Sequence, residues 1–258
     1  SENFGVQAEP PTHPELLDWL ATEFIQSPWY TKHLIKLIVT SDTYKQTSEI
    51  TPEQSKRDPA NRLLARAPRF RLSAEMIRDN ALAISGLLTN SIGGESFKPY
   101  QPEGLWDELA GGAGEGPYVQ SHGEELYRRS LYIYRKRTVP HPVTGTFDAP
   151  SFEICQVART RTNTPLQALA LLNDVTYLEA ARKLGERMIL EGGDDDGEKM
   201  THGFRLATGR RPTDQELEIL TEGCARKRAV FASDVELAKA FVSHGEAESS
   251  GDISSIEL

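Results

Sequence analysis

Apolar residues recur at helical spacing over most of this chain, and this periodicity restricts the fold more than any other feature of the sequence. Leu16, Leu20 and Phe24 share one face of a predicted first helix, since residues three and four apart are neighbours on a helix. The same kind of spacing returns near the other end of the chain at Leu217 and Leu220. The pattern predicts a mainly α, multi-helix fold.

Short polar residues mark the predicted starts of several helices. Thr12-His-Pro-Glu15, Thr164-Pro-Leu-Gln167 and Thr213-Asp-Gln-Glu216 are capping-box patterns, in which the threonine and the residue three places later satisfy backbone N–H groups. Asp58 is predicted to cap a short helix over residues 60–65, and Ser73 a longer one. Pro28 is predicted to begin the second helix, whose buried stripe would contain Trp29, Leu34, Ile35, Ile38 and Val39.

The stretch from Asn90 to His122 breaks the helical pattern, because it is rich in glycine and proline, which interrupt helices. It is predicted to be a long irregular loop. Apolar and tyrosine residues then alternate from Ser130 to Arg135, which predicts one short strand or hairpin. We therefore predict a single helical domain over residues 1–245 and a frayed tail over residues 246–258.

The charge balance and the cysteines restrict the class of partner and cofactor. The chain carries 29 Lys and Arg against 38 Asp and Glu, a net charge of −9, which argues against nucleic acid because phosphate binding needs a basic surface. No apolar run approaches the roughly 18 residues that span a bilayer. Cys155 and Cys224 form neither a CxxC pair nor a CxxCH haem-attachment motif. No metal site and no cofactor of its own are predicted for this chain.

Several long motifs follow one another in a recognisable order. They include Asp58-Pro-Ala-Asn-Arg-Leu-Leu64, Thr146-Phe-Asp-Ala-Pro150, Arg161-Thr-Asn-Thr-Pro-Leu-Gln-Ala-Leu169 and Phe204-Arg-Leu-Ala-Thr-Gly-Arg-Arg-Pro212. In this order they resemble the domain of unknown function 1553, a family found in large exported proteins of planctomycetes and related bacteria. The family's usual N-terminal helix and C-terminal ending are not recognisable here.

The resemblance implies that this chain is part of a larger exported protein, located in the periplasm or cell envelope. It also implies partner domains in the same protein, among them a cytochrome-c-like domain that would carry a c-type haem. The family has no established activity, so the resemblance supplies a context without a mechanism.

An arginine- and tyrosine-rich region is the first candidate site. Guanidinium groups bind carboxylate or sulfate in a bidentate way that lysine cannot reproduce. The region therefore predicts a binding module for a partner domain or an anionic polysaccharide. The alternative is a charged strand edge that binds nothing. The predicted ligand-binding residues are Arg128, Arg129, Arg137, Arg159, Arg161 and Tyr132, and Arg135, Tyr127 and Tyr134 lie among them.

A second candidate site is catalytic and uses Asp148, Glu153 and His141. Two carboxylates can act as acid and base in hydrolysis when their environments separate their pKa values, and with Cys155 the same residue types could hold zinc or iron. The alternative is structural, with Asp148 in a turn, Glu153 paired with an arginine and His141 held by backbone hydrogen bonds. The sequence leaves open whether the chain is a binding module or an oxidative or hydrolytic enzyme.

Overall fold

A computed structural model describes residues 7–106, 118–136, 139–153, 156, 158–249 and 253–258. Ten α-helices and almost no strand lie among these residues, which confirms the predicted mainly α fold. The chain divides into two compact units, residues 1–71 with 156–158, and residues 72–155 with 159–258. The predicted extent of a single domain, residues 1–245, stays a prediction. Within the described part of the chain, no helix is long and apolar enough to cross a bilayer.

The first unit contains α1 (Pro14–Gln26), α2 (Thr31–Thr40) and α3 (Pro52–Arg57), and two of its predicted helix starts are wrong. His13 is the N-cap of α1, and its ring nitrogen Nδ1 lies 2.9 Å from the Thr12 hydroxyl, so Thr12 does not cap the helix. Pro28 precedes α2 instead of beginning it. Pro28 and Trp29 have φ angles of 24° and 61°, which no α-helical residue adopts.

Asp58 closes a loop instead of capping the predicted helix over residues 60–65. Its two carboxylate oxygens accept the backbone N–H groups of Arg62 and Leu63, each at 2.8 Å, and the Leu63 hydrogen bond in particular holds the pKa of Asp58 below its usual value. The predicted buried stripe of α2 is also wrong, since none of the described residues of α1, α2 or α3 is buried. Ile35, for example, is 53% exposed.

The second unit is built around one central helix, α7, which packs against four other helices. Two clusters form its core, one around Ala74, Phe147 and Tyr177 and the other around Leu82, Leu126 and Tyr127. Its helices are α4 (Ala74–Ser85), α5 (Pro142–Thr146), α6 (Pro165–Asn173), α7 (Val175–Glu191), α8 (Asp196–Thr208), α9 (Asp214–Ser233) and α10 (Val235–Val242).

The predicted helix starts of the second unit agree better with the structure. Thr213 caps α9 by accepting the Glu216 backbone N–H at 3.3 Å, while the Glu216 carboxylate accepts the Thr213 N–H at 2.9 Å. Thr164 precedes α6 as predicted and donates its N–H to the Gln167 side chain at 3.2 Å. Asp195 caps α8 by accepting the Glu198 backbone N–H at 2.8 Å.

The segment predicted as a strand forms only an isolated bridge. Ser130–Tyr132 is a 3-10 turn, and Ile133 pairs with Phe97 in one parallel bridge. The Phe97 carbonyl accepts the Tyr134 N–H at 2.7 Å. Phe97 belongs to the described part of the predicted loop over residues 90–122, and a loop offers no regular partner strand along which the bridge could be extended.

Part of the predicted frayed tail is held against the second unit. The Ala247 N–H donates to the Glu179 carboxylate at 2.6 Å, and the Arg182 guanidinium donates to the Ala247 carbonyl at 2.6 Å. These contacts hold Ala247 in place, and the fraying of residues 246–258 stays a prediction. The lack of a helical period in the sequence does not reveal such hydrogen bonds to side chains elsewhere in the chain.

Candidate functional site

Three arginines from two segments of the chain line one cleft of the second unit. Arg129 and Arg135 flank the 3-10 turn, and Arg159 lies in the segment before α6. Helix α4 contributes the carboxylates of Glu75 and Asp79. The cleft has a volume of about 510 Å³, and we call it the arginine cleft. Its lining is completed by Ser73, Met76, Leu131 and Phe152.

The two carboxylates orient the three guanidinium groups. Glu75 accepts from Arg159 at 2.6 Å through Oε2 and from Arg135 at 3.2 Å through Oε1, and Asp79 lies 3.7 Å from Arg129. Burial alone would raise the pKa of Glu75, but hydrogen bonds from its own backbone N–H and from both arginines hold it below its usual value. Glu75 is therefore ionised, and the described lining of the cleft carries one more cation than carboxylate.

A second cavity adjoins the arginine cleft and shares Arg135 and Phe152 with it. The Arg135 guanidinium carbon lies 4.2 Å from the centroid of the Phe152 ring, within the range of a cation–π contact. This cavity has a volume of about 410 Å³, and Lys136, His141 and Thr144 are part of its lining. The Arg135–Phe152 pair is thus accessible from both cavities.

Other predicted ligand-binding residues have different surroundings. Arg128 is 7% exposed, and its guanidinium donates to the backbone carbonyls of Glu95 and Gly93 while lying 4.4 Å from the Tyr132 ring centroid. The Tyr132 hydroxyl accepts the Gly93 N–H at 2.9 Å. Arg128 and Tyr132 therefore anchor the loop before them, and their ligand-binding role stays a prediction.

The structure describes one of the two remaining arginines of the prediction. Arg161 is exposed and does not line it, and Arg137 lies outside the described residues. Arg135, which the sequence placed in the same region without singling it out, is the arginine shared by both cavities. Glu75 was not predicted at all. The only sequence signal for it is an acidic residue in the first turn after the Ser73 cap, and this pattern is common at helix N-termini.

The predicted catalytic residues make separate interactions. Asp148 has a φ of 61°, and its carboxylate accepts the N–H of Thr162 at 2.8 Å and the hydroxyl at 2.9 Å, as the turn interpretation anticipated. His141 contacts the Tyr100 carbonyl through Nε2 at 3.0 Å, and Glu153 is exposed. These contacts give structural roles to Asp148 and His141, and the catalytic role of the three residues stays a prediction.

A different acid lies near His141, namely Asp174 at the start of α7. Burial lowers the pKa of His141 and raises that of Asp174, and the two groups interact electrostatically. Asp174 accepts the Thr176 N–H at 3.0 Å and so acts as the N-cap of α7. A short polar residue between two helical patterns is the signal that could have identified it. In the described part of the chain, no three His, Cys, Asp or Glu residues are placed to hold a metal ion, and Cys155 lies outside that part.

Comparison with known proteins gives one match. A family model described as "PSD1: Protein of unknown function (DUF1553)" matches residues 1–224. No curated protein and no solved structure matches the chain. The matched range includes the arginine cleft, and its description contains no activity, so a function has to be argued from the geometry.

Proposed function

Because the chain belongs to the DUF1553 family of proteins of unknown function, we propose a function from its geometry, namely that it is a binding module for an anionic ligand. The observation that carries this proposal is the convergence of Arg129, Arg135 and Arg159 on one open cleft whose described lining contains two carboxylates. Arginines already oriented by carboxylates lose little side-chain freedom when an anion binds, and this favours affinity.

An acidic polysaccharide fits the cleft better than a small inorganic anion. Its carboxylate or sulfate groups match the planar donor array of a guanidinium. The Phe152 ring is 50% exposed beside Arg135, and it offers an apolar face on which a sugar ring could stack. Two adjoining cavities that share this pair give an elongated ligand room on both sides.

We expect the double substitution Arg129→Gln and Arg159→Gln to weaken binding of a carboxylated polysaccharide such as alginate by roughly 10- to 100-fold. This loss corresponds to about 1.4–2.8 kcal/mol for the two substitutions together. It is smaller than two full charge-assisted hydrogen bonds, at about 1.5–3 kcal/mol each, because Arg135 and the introduced glutamines still donate to the ligand. Isothermal titration calorimetry with alginate, and with neutral dextran for comparison, measures the effect. The wild-type chain is expected to bind alginate and not dextran.

Two matched surface arginines provide the control for this experiment. Arg226 pairs with Glu222 on α9 and Arg210 pairs with Glu216, and neither lines the cleft. The double substitution Arg226→Gln and Arg210→Gln removes the same charge and should leave the affinity within about twofold, because only long-range attraction is reduced. An equal loss in both double variants, or no binding of alginate by the wild type, would contradict the proposal.

We also propose that this module is exported and lies beside a cytochrome-c-like domain of the same protein, and the support for this is the resemblance to the family alone. The absorption spectrum and intact mass of the full-length natural protein test it. A Soret band with the added mass of covalent haem is the expected result. A protein without haem would remove the link to electron transfer and leave the ligand-binding proposal unchanged.

A further inference from the structure

A short segment near the end of the chain lies on the second unit in the manner of a bound peptide. We call residues 245–249, Gly-Glu-Ala-Glu-Ser, the strap. Its backbone groups are held by side chains. The Ala247 N–H donates to Glu179 at 2.6 Å, and Arg182 and Lys183 donate to the carbonyls of Ala247 and Glu248 at 2.6 and 3.1 Å.

One acidic side chain of the strap is held by several donors. The Glu246 carboxylate accepts from Gln120 at 3.0 Å, from His122 at 2.7 Å and from the backbone N–H of Gly123 at 3.1 Å. Its own N–H donates to the Tyr100 hydroxyl at 2.9 Å. Although burial acts to raise the pKa of Glu246, the Gly123 and His122 hydrogen bonds hold it below its usual value, so the carboxylate is ionised.

The strap lies in a groove formed by Tyr100, Glu179, Arg182 and Lys183. Small residues on either side of Glu246 fit closely into this groove. Gly245 has a φ of +87°, and a Cβ atom there would lie 2.2 Å from the Glu179 carboxyl group. Ala247 packs against the core cluster of Leu82, Leu126 and Tyr127. The groove therefore selects for the sequence Gly-Glu-Ala, by close approach at the first position, by charge at the second and by size at the third.

The floor of the groove keeps one acceptor that the strap does not use. Glu179 is 0% exposed. Its Oε1 accepts from the Tyr127 hydroxyl and the Ala247 N–H, but its Oε2 is buried without a hydrogen-bond partner among the described atoms. A buried carboxylate oxygen without a donor is costly. A ligand that offers one more donor than the strap would bind here more favourably.

We propose that this groove is a peptide-recognition site for an extended acidic segment of a partner protein, with a Gly-Glu-Ala core, and that the strap occupies it in cis. The groove residues Tyr100, Glu179, Arg182 and Lys183 lie within residues 1–224, which the family model matches, whereas the strap lies beyond them. The groove is separate from the arginine cleft, because the two share no lining residue.

The tether makes the strap a strong competitor for this groove. A segment joined to its own site by a short linker has an effective concentration of about millimolar order. A free peptide of the same sequence should therefore bind poorly to the wild-type chain, and a change that weakens the strap without altering the groove should admit it.

The test uses the full chain and a fluorescein-labelled synthetic peptide, Ser-His-Gly-Glu-Ala-Glu-Ser-Ser, which copies residues 243–250. We expect the Glu246→Ala chain to bind this peptide at least about tenfold more tightly than the wild type by fluorescence anisotropy. The matched control is Glu248→Ala, which removes the same charge from an exposed strap residue and should behave like the wild type. In the peptide, glutamine in place of the first glutamate should abolish binding, and glutamine in place of the second should not.

A second variant releases the strap without changing Glu246. Gly245→Ala places a Cβ against Glu179 and should release the strap while every groove residue stays unchanged, so it should also admit the peptide. The proposal is overturned if neither Glu246→Ala nor Gly245→Ala binds the peptide more tightly than the wild type, or if the first glutamate of the peptide proves unimportant.

Discussion

Replacing Arg78 with methionine is expected to lower the free energy of unfolding by about 3–5 kcal/mol, because three buried acceptors would lose their donor and each costs roughly 1–3 kcal/mol. Arg78 is 4% exposed. Its guanidinium donates to the Arg128 carbonyl at 2.8 Å, to the Ser130 hydroxyl at 3.2 Å and to the Leu126 carbonyl. It therefore fixes the segment that carries Arg129 and Arg135 to helix α4.

Urea unfolding followed by circular dichroism measures this effect. Two further variants show whether it comes from the lost hydrogen bonds. Arg78→Lys keeps a charge but cannot reproduce the planar donor array, so we expect it to recover less than half of the lost stability. Arg226→Met removes an arginine that is 70% exposed and should change the free energy of unfolding by less than about 0.5 kcal/mol. Full recovery with lysine would show that charge alone matters and would contradict the hydrogen-bonding argument.

The second large effect is expected at Glu186 on α7, where Glu186→Ala should lower the free energy of unfolding by about 3–5 kcal/mol. The Glu186 side chain is 1% exposed and pairs with Arg182 at 3.1 Å and with Lys183. These two cations are themselves 8% and 14% exposed. Without the carboxylate, two poorly solvated positive charges would lie side by side on the helix.

The same unfolding measurement shows whether Glu186→Ala is destabilising because contacts are lost or because two positive charges are left uncompensated. The triple variant Arg182→Met, Lys183→Met and Glu186→Leu removes all three charges, and we expect it to recover at least half of the stability that Glu186→Ala loses, because apolar replacements of buried ion pairs are often neutral. Glu222→Ala breaks an exposed pair with Arg226 and should cost less than about 1 kcal/mol. If Glu186→Ala lowers the free energy of unfolding by less than about 1 kcal/mol, the prediction is contradicted.

The local sequence was sufficient to predict most of the helices and to recognise the family. Apolar spacing and caps such as Thr213 with Glu216 act within one or two turns of chain, so they identify a helix without any knowledge of its neighbours. For this reason the helices of the second unit were largely predictable. The start predicted at Thr12 was wrong because His13, the next residue, is the N-cap of α1. The start predicted at Pro28 was wrong because Pro28 and Trp29 form a turn with positive φ angles before α2.

Only the tertiary structure decided which polar residues lie in the interior and which meet at a site. Arg78, Glu179 and Glu186 have the sequence pattern of solvent-facing helix residues, yet each is less than 5% exposed. Arg78 and Glu179 are hydrogen-bonded to Arg128 and Tyr127, 50 and 52 residues away, whereas Glu186 pairs with two cations of its own helix. The arginine cleft likewise combines Arg159 with Glu75, which are 84 residues apart. Local periodicity carries no information about such pairs, since the free energy of a buried charge depends on partners that the fold alone supplies.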